Sequence, residues 1–199
     1  MKNHCSDRAR QMLAQEAARI IVEQGIQDYR IAKTKAAERL GMKDRGALPG
    51  NAEIELALTN HLALFRRDSH VGLLLIMRRA ALAAMDMLSP FSSRLVGPVL
   101  HGTAAENSSV NLHVFADASE MVAFKLQEND VRYKPFERRL KSRRNQLETF
   151  AAFRFLQDDS PVEATIFPID GVRQAPISPV DGKPMRRADK KAVLELLAQ

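Results

Sequence analysis

Residues 95–117, LVGPVLHGTAAENSSVNLHVFAD, contain an apolar segment, a turn of small residues and a second segment in which polar and apolar side chains alternate. Successive side chains of a strand point to opposite faces of a sheet. The alternation therefore places Ser109, Asn111 and His113 on one face and the intervening apolar side chains on the other. The segment predicts two strands of an α/β sheet, with side-chain oxygens beside the backbone N–H groups of a turn.

This order of elements resembles the nucleotidyltransferase superfamily related to DNA polymerase β. In that family a hydrophobic strand ends in Gly-Ser, the next strand carries Asp-apolar-Asp, and a later strand supplies a third acid. Here Gly102 and Thr103 stand in place of Gly-Ser. Ser109 and Asn111 stand in place of the two aspartates, and Glu163, in the segment PVEATIFP, in place of the third acid. The resemblance implies a nucleotidyltransferase-like sheet whose turn contacts nucleotide phosphates through glycine-exposed N–H groups.

The residues that replace the two aspartates decide which chemistry to expect. The family's reaction depends on carboxylates that hold Mg²⁺, which prefers hard, negatively charged oxygen ligands. Serine and neutral asparagine are poor replacements, so we expect a catalytically degenerate protein that binds a nucleotide or RNA. The residues predicted to hold this ligand are Gly102, Thr103, Ser109, Asn111 and His113.

Three alternatives stay open. An active, Mg²⁺-dependent nucleotidyltransferase would use Glu163 as a catalytic acid together with an unassigned second acid, and only in that case is Mg²⁺ an expected cofactor. His101, His113 and Glu163 also match a facial metal site, although histidines hydrogen-bonded within the sheet are the simpler interpretation. Whether the protein is an enzyme is therefore left open by its sequence.

The third alternative is a helix-turn-helix DNA-binding regulator. The segment EQGIQDYRIAKTKAAERLGM, residues 23–42, has the succession of helix, glycine turn and helix that such regulators use. Its basic residues would then contact DNA phosphates. They are Arg30, Lys33, Lys35 and Arg39.

A basic segment between residues 132 and 144 contains seven basic residues and one acid, Glu137, with Tyr133 and Phe136 between them. Such a composition is typical of a surface that contacts a nucleic-acid backbone while aromatic rings stack on bases. The alternative is a solvated hairpin with inward-facing aromatics. The seven residues are Arg132, Lys134, Arg138, Arg139, Lys141, Arg143 and Arg144. A second basic group, which includes Arg187, precedes the C-terminal helix, and a solvated surface is its simplest interpretation.

The chain has 199 residues, of which 45% are hydrophobic and 27% charged, and its formal net charge is +6. No apolar run approaches the roughly 18 residues of a membrane span, so we expect no membrane partner. The N-terminus lacks the apolar core and cleavage site of a secretory signal, and Cys5 has no second cysteine to pair with. These features favour a cytoplasmic protein, and the positive charge favours acidic partners.

The period of the apolar residues changes at Pro90, from three or four to two. Before Pro90 we predict four helices, with caps at Asp28, Asn51 and Ser69 and stops at Gly25 and Gly41. After it we predict strands at about 95–101, 109–116, 131–136, 150–156 and 162–167 and helices at about 118–129 and 188–198. The predicted class is α+β, with a helical lobe over residues 1–89 and a mixed-sheet, nucleotidyltransferase-like α/β domain over residues 90–199.

Overall fold

Helices fill the first part of the chain in the computed structural model, which describes residues 2–26, 28–42, 48–65, 67–142 and 146–198. The first four helices are α1 (Lys2–Gln24), α2 (Tyr29–Arg39), α3 (Asn51–Phe65) and α4 (Arg67–Met87). Gly25 adopts φ +65° directly after α1, and Asp28 caps α2 by accepting from two main-chain N–H groups. Both residues have the roles that the sequence predicts. Gly25 ends α1 because a left-handed residue after a helix favours glycine, and Asp28 caps α2 through its carboxylate.

Two predicted caps are wrong. Asn51 is the first residue of α3, and its side-chain amide donates to the Pro179 carbonyl at 2.6 Å. The start of α3 is instead held by the Glu53 carboxylate, which accepts from the Gly50 N–H at 2.6 Å. Ser69 lies inside α4. A polar residue before an apolar run therefore located these two helices correctly but placed their first residues one and three positions too late.

The described residues form two compact units. One unit contains Met1–Val71, Ala105–Ser108 and Pro179–Asp181, and the other Gly72–Ala104, Ser109–Ser178 and Gly182–Gln199. Leu13, Ile20 and Ile54 form part of the core of the first unit. The units divide inside α4, whereas the sequence predicted domains over residues 1–89 and 90–199.

The second unit contains a five-stranded mixed sheet, and the predicted α+β class is confirmed. Its strands are β1 (Ser92–Val96), β2 (Val110–Phe115), β3 (Tyr133–Lys141), β4 (Leu147–Gln157) and β5 (Ser160–Phe167). The order in the sheet is β1-β2-β5-β4-β3, and β2 and β5 pair in parallel while the other neighbours are antiparallel. The remaining helices are α5 (Pro98–His101), α6 (Ser119–Glu128) and α7 (Lys190–Leu197).

The first strand differs from its prediction at residues 95–101. It ends at Val96, Gly97 follows with φ +73°, and the short helix α5 then begins at Pro98. Proline has no N–H for a sheet ladder, and its fixed φ suits the first position of a helix. Gly102 ends α5 in the left-handed conformation, with φ +78°.

The two faces of the sheet differ in character. One face packs against helices and forms the core of the unit, in which Val110, Leu112 and Val114 have no exposed surface. The other face carries Asn111 and His113, as the alternation in β2 predicts. This second face, called the polar face below, is where the candidate site lies.

Candidate functional site

The register of β2 and β5 brings two predicted site residues together. Asn111 lies opposite Glu163, and His113 lies opposite Thr165. The Glu163 side chain is 4% exposed. The pairing of β2 with β5 therefore places Asn111 and Glu163 side by side on the polar face.

Gly102 and Thr103 lie elsewhere than expected. They follow α5 rather than β1, and a Cβ at Gly102 would meet Leu74 of α4 at 3.9 Å. The glycine at the end of β1 is Gly97, where a Cβ would lie 3.4 Å from the Asn111 side-chain nitrogen. The strand-ending glycine beside Asn111 is thus one that the sequence reasoning missed, although Gly-Pro after an apolar strand marks it.

Two arginines bind the Glu163 carboxylate. Arg138, on β3, pairs with Oε2, and Arg154, on β4, donates from Nε to Oε1 at 2.9 Å and pairs through Nη2 at 2.7 Å. Arg138 also donates from Nη1 to Asn111 Oδ1 at 3.1 Å. Both guanidinium groups lie over the Phe136 ring, with their central carbons 5.5 and 5.3 Å from its centroid. The buried carboxylate is therefore compensated by two cations, and the Phe136 ring in turn stabilises both of those guanidinium groups.

These residues do not fit a divalent cation. Arginine donors occupy both Glu163 oxygens, and the neighbouring position supplies a neutral amide rather than a carboxylate. Within the described ranges, no cluster of three or more His, Cys, Asp or Glu side chains has the arrangement of a metal site. The facial site of His101, His113 and Glu163 is not formed among these residues, since His101 ends α5 whereas His113 and Glu163 lie on β2 and β5.

His113 is a structural histidine whose partner is Arg187. Arg187 donates from Nε to His113 Nδ1 at 3.0 Å and from Nη1 to the Gly171 carbonyl at 2.8 Å. Its guanidinium lies over Phe115 and Phe167, 4.9 and 5.1 Å from their centroids. Burial, together with the charges of Arg187 and Arg138, lowers the pKa of His113 to about 3. The imidazole is consequently neutral and accepts a hydrogen bond rather than adding a charge.

Positive charge concentrates around these side chains. Arg94 lies opposite His113 across β1 and β2, and burial and the charge of Arg94 together lower the pKa of Arg187 to about 10. Four arginines thus surround the paired carboxylate and the neutral histidine. They are Arg94, Arg138, Arg154 and Arg187. We call them the arginine cluster.

A cavity of about 210 Å³ adjoins the polar face. Phe150 and Phe167 form one wall, with ring centroids 4.4 Å apart, and Gln174 and the acids Glu148 and Asp170 complete part of its lining. Phe167 also carries the Arg187 guanidinium, so the cavity and the arginine cluster share a side chain. An aromatic wall with hydrogen-bond acceptors is suited to a flat polar ring.

The predicted basic segment divides between site and surface. Arg138 joins the arginine cluster, while Arg132, Lys134, Arg139 and Lys141 are exposed. Arg143 and Arg144 lie outside the described residues. Tyr133 packs edge-on against Phe153 in the core, with centroids 5.0 Å apart, so it is not an exposed stacking platform.

Two bases of the suggested helix-turn-helix connect α1 to α2. Arg39 pairs with Glu16 and Glu23 at 3.2 and 3.7 Å, and Lys35 donates to Gln24 Oε1 at 2.8 Å. Arg39 and Lys35 thus contact side chains of α1, and these contacts between the two helices account for both basic residues. DNA binding by this segment stays a prediction.

No family model, curated protein or solved structure matches this chain. Among the helices of the described residues, none has the length and apolar character needed to cross a membrane.

Proposed function

We propose that this protein binds a nucleotide by its phosphate groups on the polar face of the sheet, as a catalytically degenerate relative of the nucleotidyltransferases. The observation that carries the proposal is the arginine cluster. It combines Arg138 and Arg154, which pair with the single carboxylate of Glu163, with Arg187 and Arg94, which lie beside the neutral His113. In this proposal Glu163 positions arginines and does not act as a catalytic acid.

The chemistry of the side chains supports a phosphate ligand. A guanidinium presents a rigid fork of N–H donors that matches the oxygens of phosphate, and it keeps its charge at physiological pH. The Arg154 side chain is 58% exposed, so its remaining donor surface faces solvent. Half-buried guanidinium groups that repel one another gain from an anion, and burial together with the charge of Arg94 lowers the pKa of Arg187.

The adjoining cavity supports a nucleotide over a simple anion. A flat ring stacks on Phe150 or Phe167, while Glu148, Asp170 and Gln174 can accept hydrogen bonds from ring amino groups. A chain of phosphates would extend from that ring toward the arginine cluster.

Isothermal titration calorimetry with ATP, GTP, inorganic tripolyphosphate and a short single-stranded RNA, in low salt with EDTA, tests the proposal. We expect saturable binding of a triphosphate, and Arg154→Gln should weaken it about tenfold, as expected for the loss of a charge-assisted hydrogen bond. Arg79→Gln is the matched control, because Arg79 is an exposed arginine on α4 with the same charge.

Absence of binding by every ligand at low salt would refute the proposal. An equal loss in Arg79→Gln and Arg154→Gln would also refute it, because the attraction would then be a general effect of net charge. If only RNA binds, and the logarithm of its binding constant falls with the logarithm of salt concentration with a slope of about −0.7 for each phosphate contacted, the ligand would be a polyanion rather than a nucleotide.

A further inference from the structure

The guanidinium of Arg138 bridges two neighbouring strands. Its Nη1 donates to Asn111 Oδ1 at 3.1 Å on β2, and its Nη2 pairs with Glu163 Oε2 on β5. Only 27% of the Arg138 side chain is exposed. A fixed positive charge therefore lies between the two side chains that would have to hold a metal ion if this site bound one.

Asn111 is oriented to accept from this guanidinium. Its side-chain nitrogen donates to the Ser109 carbonyl at 3.1 Å, which leaves Oδ1 as the acceptor that faces Arg138. Gly97 allows the amide to lie close to the chain at the end of β1. The local hydrogen bonds thus select the amide orientation that suits a cation.

The charges balance for a guanidinium but not for a divalent ion. A guanidinium carries one positive charge and needs only hydrogen-bond acceptors, so one carboxylate and one neutral amide satisfy it. A divalent ion at the same place would need further anionic oxygens. Asn111 in place of a carboxylate is therefore compatible with Arg138 and unfavourable for a metal.

We infer that Arg138 is a tethered cation in the place of a divalent metal ion, and that the site takes phosphate groups free of magnesium. The part about phosphate rests on the proposed function, whereas the part about the cation rests on the contacts of Arg138 alone. Magnesium on a triphosphate bridges the β- and γ-phosphate oxygens and neutralises their charge. The metal complex consequently offers the arginine cluster fewer free oxygens and less charge than the bare triphosphate.

The first experiment uses Mn²⁺ as the probe and needs no nucleotide. Electron paramagnetic resonance of free Mn²⁺ measures its binding to the full chain. Wild-type protein should show no Mn²⁺ binding that is lost in the variant Glu163→Gln. The double variant Asn111→Asp with Arg138→Gln, which removes the guanidinium and adds a second carboxylate, should bind one Mn²⁺, and adding Glu163→Gln should abolish that binding.

A matched control separates the guanidinium from net charge. The double variant Asn111→Asp with Arg79→Gln carries the same charge as the first one but keeps Arg138, and it should bind no Mn²⁺. Circular dichroism establishes that each variant is folded. If the Arg138 variant does not fold, the comparison of wild-type protein with Glu163→Gln still decides, because Mn²⁺ binding that Glu163→Gln removes would overturn the inference.

The second experiment compares ATP in EDTA with ATP in excess Mg²⁺. The wild-type protein should bind metal-free ATP about tenfold more tightly, the ratio expected from one charge-assisted hydrogen bond. Equal affinity, or tighter binding of the magnesium complex, would overturn the inference. If ATP binds under neither condition the proposed function fails, and the Mn²⁺ titrations still decide whether Arg138 replaces the metal.

Discussion

Replacing Glu163 by glutamine should change stability and ligand affinity in opposite directions. The variant removes a buried negative charge that two arginines share, while the glutamine keeps the volume and one acceptor oxygen between them. Breaking a buried ion pair by removing one partner costs about 3 to 5 kcal/mol. The side chains of Arg138 and Arg154 are 27% and 58% exposed, so water compensates part of that cost, and we expect a loss of about 2 to 3 kcal/mol.

The same substitution should strengthen phosphate binding. A phosphate that contacts these guanidinium groups would lie about 5 Å from the Glu163 carboxylate, and at an effective dielectric constant of about 40 to 80 their repulsion is about 1 to 2 kcal/mol. Removing it raises the affinity for metal-free triphosphate about 5- to 30-fold. A transferase that relied on Glu163 as its catalytic acid would instead lose its activity in this variant.

Urea denaturation followed by circular dichroism measures the stability, and calorimetry with ATP in EDTA measures the affinity. Glu137→Gln is the matched control, because Glu137 is an exposed carboxylate on β3, and it should leave both quantities nearly unchanged. A fall in ATP affinity in Glu163→Gln would refute the reasoning, since the carboxylate would then be helping the ligand rather than competing with it. Unchanged stability would show that the arginine pairing contributes nothing to the fold.

Three further predictions concern the folded chain. The pKa of His113 is about 3 in the folded chain and about 6.5 in the unfolded chain, so between these pH values only the unfolded chain takes up a proton. The free energy of unfolding should therefore fall below pH 6.5, by about 2 kcal/mol at pH 5. The substitution His113→Gln should remove that pH dependence in urea titrations. Gly25→Ala should destabilise more than Gly41→Ala in the same assay, because both glycines have φ +65° but only at Gly25 would the Cβ come within 2.6 Å of Asn107. Asp28→Ala should cost about 1 kcal/mol by removing the cap of α2, and an unchanged thermal midpoint would contradict the assigned cap.

Local patterns predicted most of the helices and strands, and strand β2 in particular. The alternation in residues 109–114 placed Asn111 and His113 on the polar face, because a period of two leaves a strand little freedom once one face is buried. Glycine and aspartate marked the junction of α1 and α2 for equally local reasons. In contrast, the apolar run after Val96 looked like a strand, although Pro98 within it favours a helix start.

The arginine cluster was only partly accessible to such reasoning. Arg154 lies opposite Glu163 because Asp158 and Asp159, both with positive φ, form a two-residue turn between β4 and β5. Counting outward from that Asp-Asp turn predicts the pairing, so this residue had a local signal that was missed. No local sequence signal predicted the role of Arg187, because its contact with His113 joins residues 74 positions apart in the chain and depends on how the C-terminal segment crosses the sheet.

The positive charges of Arg94, Arg138 and Arg187 lie close together in the free protein, and a bound anion would reduce their mutual repulsion. Burying an ion pair is often no more stabilising than packing apolar side chains in the same space, so stability alone does not account for Glu163 and its two partners. Burial and neighbouring arginines lower the pKa values of both His113 and Arg187, which means that the folded site resists additional positive charge. A bound phosphate would remove that unfavourable interaction and stabilise the folded chain through mass action. The Glu163 carboxylate orients two flexible arginine side chains before a ligand arrives, and we expect its repulsion of the phosphate to outweigh this gain in preorganisation.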